Sequence, residues 1–263
     1  MTGTVDLEVE DAVATITFDN REKRNALGPP LINDIIGMLD EVEERDDVRC
    51  LVLTGAGEKA FSSGFDISYH QRNYGEGPEV TEEEGDFSEM SHRVKNFDYP
   101  TIAMINGGTF GGAMHLISCC DLRIAVEGAE FGITPARLGL VYEGDAIGQV
   151  MLHVGPANIK EFLFTADFVD AERASDMGLV NYVVERDQLE AKTYDMAGSI
   201  ANNAPLSLVK MKKIVGALNE HQRLTEAETD WSHMLREEAK ESRDHQEGVE
   251  AFMENRDPEF EGR

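Results

Sequence analysis

Positive charge is scarce in this chain of 263 residues: 24 Lys plus Arg stand against 51 Asp plus Glu, for a formal net charge of −27. Only nine of the cations are lysines. Such a surface repels phosphates and anionic headgroups, which argues against nucleic acid and anionic lipid as partners. Cysteine is scarce too. Cys50, Cys119 and Cys120 show no metal-ligand spacing, so no metal site is expected, and adjacent residues are poorly placed to cross-link. Long apolar runs are missing: nothing approaches the roughly 18 residues that a membrane span needs. The opening MTGTVDLEVED is acidic, with no basic stretch ahead of an apolar run. No signal peptide is expected, and the cytoplasm is the expected compartment.

What is present suffices for a packed core. Hydrophobic residues make up 41% of the chain, and its length fits one large domain or a core domain with an appendage. The acids are spread over helical stretches, not gathered in one block, and read as a solvated acidic shell instead of a disordered tail. Such a shell keeps a protein soluble in concentrated salt, so a halophilic habitat is the expectation.

The apolar runs give the architecture. VDLEVEDAVATITFD reads as two strands around a tight turn at Glu10–Asp11, with Val13, Ile16 and Phe18 among the apolar positions. Pro29 and Pro30 are tolerated at a helix start, and Leu31, Ile35, Ile36, Met38, Leu39 and Val42 follow at helical spacing. CLVLTGAG and TIAMING are strands ending in glycine, GGAMHLISCC is a helix, and LRIAV is a further strand. Repeated strand–loop–helix units predict an α/β fold. Residues 72–89 predict a surface loop. From about Asp187 the pattern is almost wholly helical, with Trp231, Met234 and Leu235 on one apolar face.

FSSGFDI and GGTFGGAMHL each place glycine ahead of a predicted helix start. Two helix N-termini brought together offer two N–H donors to one oxygen. On spacing alone, each is equally a plain strand–helix turn. Neither is a dinucleotide fingerprint or a phosphate-binding loop. Ser62 and Ser63 stand in no Ser–His–acid order that would support a nucleophile.

Taken in order, NREKRNAL, KAFSSGFDI, PTIAMINGGTFGGAMHLISCCDLRIAVEGAEFG, LGLVYEG and EFLFTADFVDAERASDMGLVNYVV resemble the crotonase superfamily, which includes enoyl-CoA hydratases and isomerases. The closing GVEAFMENRDPEFEGR resembles its C-terminal signature. The resemblance implies a spiral of ββα turns with a C-terminal helical segment. Residues 1–200 would form the core that binds and processes an acyl-CoA thioester. Residues 201–263 would close the CoA site and pack in a homo-trimer or hexamer. No cofactor beyond the CoA moiety of the substrate is implied. The backbone amides of Phe65 and Gly112 match the pair that polarises the thioester carbonyl, and such preorganised donors are worth about 3–4 kcal/mol each. Arg24, Asn25, Ala26 and Leu27 match the stretch that cradles the CoA adenine, with Lys23 and Arg24 available for its phosphates. The plainer reading of Lys23 and Arg24 is an ordinary solvated pair.

The departures from the family pattern concern chemistry. Hydratases use two glutamates across a water; here the first falls on His115 and the second on Pro135, which has no side-chain proton. One-base isomerases keep the second carboxylate, also missing. FGITPARLGLVYEGD resembles the methylmalonyl-CoA decarboxylase branch, in which Thr134 and Tyr142 match residues around the substrate carboxylate. That branch keeps a glutamate at the His115 position. Loss of CO2 delivers an enolate directly, and a second anion beside the substrate carboxylate would repel it. Glu143 matches an aspartate that dienoyl-CoA isomerases use as an acid–base group, or is one more surface acid. His115 either shuttles a proton or packs. Asp145 is expected to cap the helix AIGQVMLHV. The resemblance thus implies an acyl-CoA enzyme that decarboxylates a malonyl-type CoA, or one that hydrates or isomerises through His115 or Glu143. The reading from another class is a non-catalytic acyl-CoA-binding subunit.

Overall fold

The computed structural model describes residues 3–66, 87–138, 140–221, 231, 234, 235, 238, 241–254, 256 and 258–262. Strands β1 (Thr4–Glu10) and β2 (Val13–Asp19) form an antiparallel hairpin. Its turn is Asp11–Ala12, one residue later than the sequence suggests, and both residues have positive φ (49° and 63°). That handedness matches the twist of the flanking strands. On β1 the acidic Asp6, Glu8 and Glu10 face out while Val5, Leu7 and Val9 are half-buried. Charge on the outer face protects this edge from pairing with another chain.

Helix α1 (Pro29–Glu43) starts on its two prolines, with Gly28 as the flanking residue. Then come β3 (Cys50–Gly55), β4 (Ala60–Ser62), α2 (Phe87–Asn96), β5 (Thr101–Ile105), β6 (Gly108–Phe110) and α3 (Gly112–Cys119). Strands β7 (Leu122–Val126) and β8 (Glu130–Gly132) lead into α4 (Gly144–Thr165), which breaks at Gly155 (φ 75°) before Pro156. The chain continues through β9 (Val169–Asp170), α5 (Ala171–Asp176), β10 (Tyr182–Val184), α6 (Leu189–Ala201), α7 (Pro205–His221) and α8 (Arg243–Glu254).

The strands form two sheets, ordered β1-β2-β3-β5-β7-β10 and β4-β6-β8-β9. Apart from the hairpin the large sheet is parallel; β4, β6 and β8 are parallel, with β9 antiparallel at their edge. Thus β3, β5 and β7 lie in one sheet and their successors β4, β6 and β8 in the other, with a helix closing each turn. This is the expected spiral of ββα turns. Its driving force is plain in β3 and β5, whose residues are all buried: unbroken apolar runs suit parallel strands covered on both faces. The three-residue strands of the small sheet are too short for periodicity to announce them.

The segment beyond residue 201 is tied back to the sheets. Lys212 reaches Asp121 (2.7 Å) and Tyr99 O (2.9 Å), and Arg49 donates to Phe260 O (2.6 Å). Trp231 and Leu235 are at least half-buried, but Met234 is 52% exposed and does not share their face. Most of the loop expected over 72–89 lies outside the described residues; from Phe87 it is helix α2. Among the described residues, no helix is long and apolar enough to cross a membrane.

Candidate active site

Parallel strands deliver their C-terminal ends to one edge of a sheet, where loops meet and ligands bind. Here β4, β6 and β8 deliver Ser63-Gly64-Phe65, Gly111-Gly112 and Ile133-Thr134-Pro135, so three stretches far apart in sequence become neighbours. The approach is close. A Cβ added to Gly64 would lie 2.5 Å from Phe110 O and 2.8 Å from Gly112 N, distances no side chain tolerates. A Cβ on Gly112 would stand 3.6 Å from Phe65 N. Gly111 sits at φ 54°, ψ −122°, a conformation essentially reserved for glycine. Its N–H donates to Gly132 O at 2.9 Å. The Gly112 N–H opens α3 and has no acceptor within its own helix.

The segment 23–27 is stitched to the same loop. Leu27 N–H donates to Gly64 O (2.8 Å) and Asp66 N–H to Leu27 O (3.0 Å), so Leu27 and Phe65 pair like a short parallel bridge. Ser63 N–H donates to Arg24 O (2.9 Å), and the Ser62 hydroxyl donates to Asn25 O (2.7 Å). Asn25 is buried at φ 55°. Its amide donates to Ala56 O and Ala60 O, both at 2.9 Å, and its side-chain oxygen accepts from Asn20 N–H at 2.9 Å. The Asn25 side chain is therefore consumed inside the fold, and Ala26 and Leu27 are buried. Lys23 is ion-paired with the buried Asp66. Arg24 is exposed and forms no ion pair among the described residues.

His115 lies on α3, one turn in from Gly112. It is 8% exposed, and burial pushes its pKa down to about 4, against a smaller opposing pull from Asp145. The ring is neutral at pH 7 and makes no hydrogen bond among the described residues. Phe87 of α2 stands over it, ring centres 6.0 Å apart, and also over Gly112, where an added Cβ would be 3.2 Å from Phe87 Cζ. Thr134 and Pro135 are half-buried where β8 runs into a short 3-10 turn. No carboxylate occupies either 115 or 135.

Two expectations change at the start of α4. Glu143, not Asp145, is the residue flanking the helix, and its side chain makes no capping hydrogen bond. Asp145 sits in the first turn, where a negative charge suits the helix dipole. Both acids are exposed. Tyr142 turns inward: its hydroxyl donates to Gly111 O at 2.9 Å, and burial raises its pKa.

The sequence reading missed the support behind α3. Arg123, 3% exposed on β7, donates to Leu179 O (2.6 Å) and to Cys120 O (2.5 Å) at the C-terminal end of α3. There a positive charge complements the helix dipole. Gln149 Nε2 and His153 Nε2, both on α4, reach Ser118 O at 2.8 and 2.9 Å. A proton on Nε2 of His153 leaves Nδ1 to accept from Arg123 at 3.4 Å, and burial brings this histidine down to about 4 as well. The only signal in the sequence was an arginine inside the apolar strand LRIAV. The cysteines are core residues, with burial pushing the Cys50 and Cys119 thiols up to about 12. Among the described residues no cluster of three or more His, Cys, Asp or Glu could hold a metal.

Comparison with known proteins bears on the family and the fold. Residues 8–263 match the enoyl-CoA hydratase/isomerase family model. Methylmalonyl-CoA decarboxylase of Escherichia coli K12 is 34% identical over 251 residues, 95% of each chain. Crotonyl-CoA hydratase of Syntrophomonas wolfei is 30% identical over 264 residues, 97% of this chain and 96% of that one. The solved structure of enoyl-CoA hydratase from Bacillus anthracis superposes with a TM-score of 0.89 at 29% identity, covering both chains fully.

Proposed function

Because the chain belongs to the enoyl-CoA hydratase/isomerase family, we propose that the N–H groups of Phe65 and Gly112 hold the carbonyl oxygen of an acyl-CoA thioester, and that the enolate they stabilise arises by decarboxylation of a malonyl-type CoA. The C–C bond to the substrate carboxylate breaks, and its electron pair enters the enolate. CO2 leaves, and the α-carbon takes a proton from water. Negative charge collects on the thioester oxygen, where preorganised N–H donors act most strongly.

The observation that carries this reading is the neutral, buried His115, which leaves no carboxylate at a position where hydratases and the decarboxylase branch alike carry one. With Pro135 at the second position, neither group repels a substrate anion. The 34% identity to methylmalonyl-CoA decarboxylase points the same way. Arg24 is the cation offered to the CoA phosphates; Lys23 serves only by leaving Asp66.

One observation favours a second reading. A histidine with a pKa near 4 is about as basic as an ordinary glutamate, so His115 can activate a water for hydration. Purified protein given methylmalonyl-CoA, crotonyl-CoA and a dienoyl-CoA, with products followed by mass, separates these. Loss of CO2 from methylmalonyl-CoA is expected. Hydration of crotonyl-CoA that disappears in His115→Ala would replace the first reading with the second. Binding of all three without conversion would leave an acyl-CoA-binding subunit.

A further inference from the structure

The Gly111–Gly112 peptide is gripped on its carbonyl as well as at its entry. Gly111 O accepts from Met114 N–H at 3.0 Å and from the Tyr142 hydroxyl at 2.9 Å. That carbonyl and the Gly112 N–H belong to one planar unit and point in opposite directions. A donor placed on the carbonyl therefore sets the direction of the N–H. It also draws electron density off the nitrogen, which makes the N–H a better donor. Glycine has little conformational preference of its own to hold this orientation, so an external clamp matters here more than elsewhere. We propose that Tyr142 is a positioning residue that aims and strengthens the Gly112 N–H through the Gly111 carbonyl, without contacting the thioester or the substrate carboxylate. The inference deepens the proposed function and rests on its assignment of Gly112 as a donor.

Two further facts agree. Burial raises the Tyr142 pKa, so the hydroxyl keeps its one proton, and that proton is committed to Gly111 O. The Thr134 hydroxyl makes no hydrogen bond among the described residues and stays available for a substrate carboxylate. Tyr142 and Thr134 thus take different tasks, although the family resemblance matches both to residues around the same group.

The test uses butyryl-CoA labelled with 13C at the thioester carbonyl, which is saturated and has no carboxylate. Its carbonyl infrared band is expected to fall on binding to the intact protein and to return partway toward the free position in Tyr142→Phe. Turnover of methylmalonyl-CoA in that variant should drop about 3- to 10-fold in kcat with KM nearly unchanged, the effect of one hydrogen bond. Biosynthetic replacement of tyrosine by 3-fluorotyrosine, a stronger donor, should move the band the other way and covers the case of a Phe variant that does not fold. An unmoved band with slower methylmalonyl-CoA turnover would overturn the inference in favour of direct contact with the carboxylate. An unmoved band and unmoved turnover would overturn it outright. A band that fails to fall even in the intact protein would instead sink the donor assignment of the proposed function, and the inference with it.

Discussion

Asn25→Ala separates the CoA contact that the family resemblance implies from the internal brace that the structure shows. The side chain is 1% exposed and makes three hydrogen bonds of 2.9 Å, two as donor to Ala56 O and Ala60 O and one as acceptor from Asn20 N–H. At about 1 kcal/mol net for each bond, the loss is about 3 kcal/mol. Alanine must also hold φ 55°, which adds on the order of 1 kcal/mol. For a domain of this size each kcal/mol moves the melting temperature by about 2–4 °C, so a fall of roughly 8–16 °C is expected. Calorimetry gives the melting temperature, and titration with CoA, well below both transitions, gives the affinity. An affinity within about threefold of the parent's is expected, since no side-chain contact to the ligand is removed. A variant that melts with the parent yet binds CoA tenfold or more weakly would refute the reasoning and return Asn25 to the ligand.

Gly64→Ala should be far more costly than Gly128→Ala. Both glycines have positive φ (86° and 78°), but an added Cβ meets Phe110 O and Gly112 N at Gly64 and nothing within 4 Å at Gly128. The expectation is about 1 kcal/mol at Gly128 and 3 kcal/mol or more at Gly64, with acyl-CoA turnover lost, read by urea unfolding and the decarboxylase assay; equal costs would contradict the close approach of the two loops. Acid should unfold the protein through His115 and His153. Burial holds both near pH 4 in the folded state, while the unfolded chain takes up their protons near 6.5. The unfolded state therefore binds more protons between those values, and stability that is full above about pH 6.5 is lost on the way to 4, by up to about 3 kcal/mol per histidine. His115→Gln and His153→Gln should each flatten the dependence of unfolding free energy on pH over that window, and an unchanged slope would contradict their burial. The pH–rate profile should likewise show no limb near 6.5 that vanishes in His115→Gln.

Much of the fold is legible in the sequence because apolar runs report burial directly. CLVL and TIAMI read as buried strands and are buried strands; GGAMHLISCC reads as a helix and is one. The small sheet is illegible because β4, β6 and β8 are three residues long, too short to show a pattern, and β6 and β8 each carry a glycine. That sheet nonetheless delivers all three loops of the candidate site. At the site, the family resemblance points to Phe65 and Gly112, and geometry brings their loops together. Arg123, Gln149 and His153 escaped notice because each supports α3 through backbone carbonyls, which no residue spacing encodes.

The sequence by itself determined the α/β alternation, the acidic excess and the glycine turns, which follow from what each residue is: its apolar area, its charge, its freedom in φ. The spiral of ββα turns and the carboxylates replaced by His115 and Pro135 are legible only through the family resemblance. Only the tertiary structure decided how the polar groups are spent. Asn25 ties its own turn to Ala56 and Ala60, Lys23 is taken by Asp66, Glu143 faces solvent, and the Tyr142 hydroxyl is given to Gly111 O. A hydrogen bond is made or lost within a few tenths of an ångström. Which partner lies within that reach is fixed by the packing of strands distant in sequence, not by the residues taken one at a time.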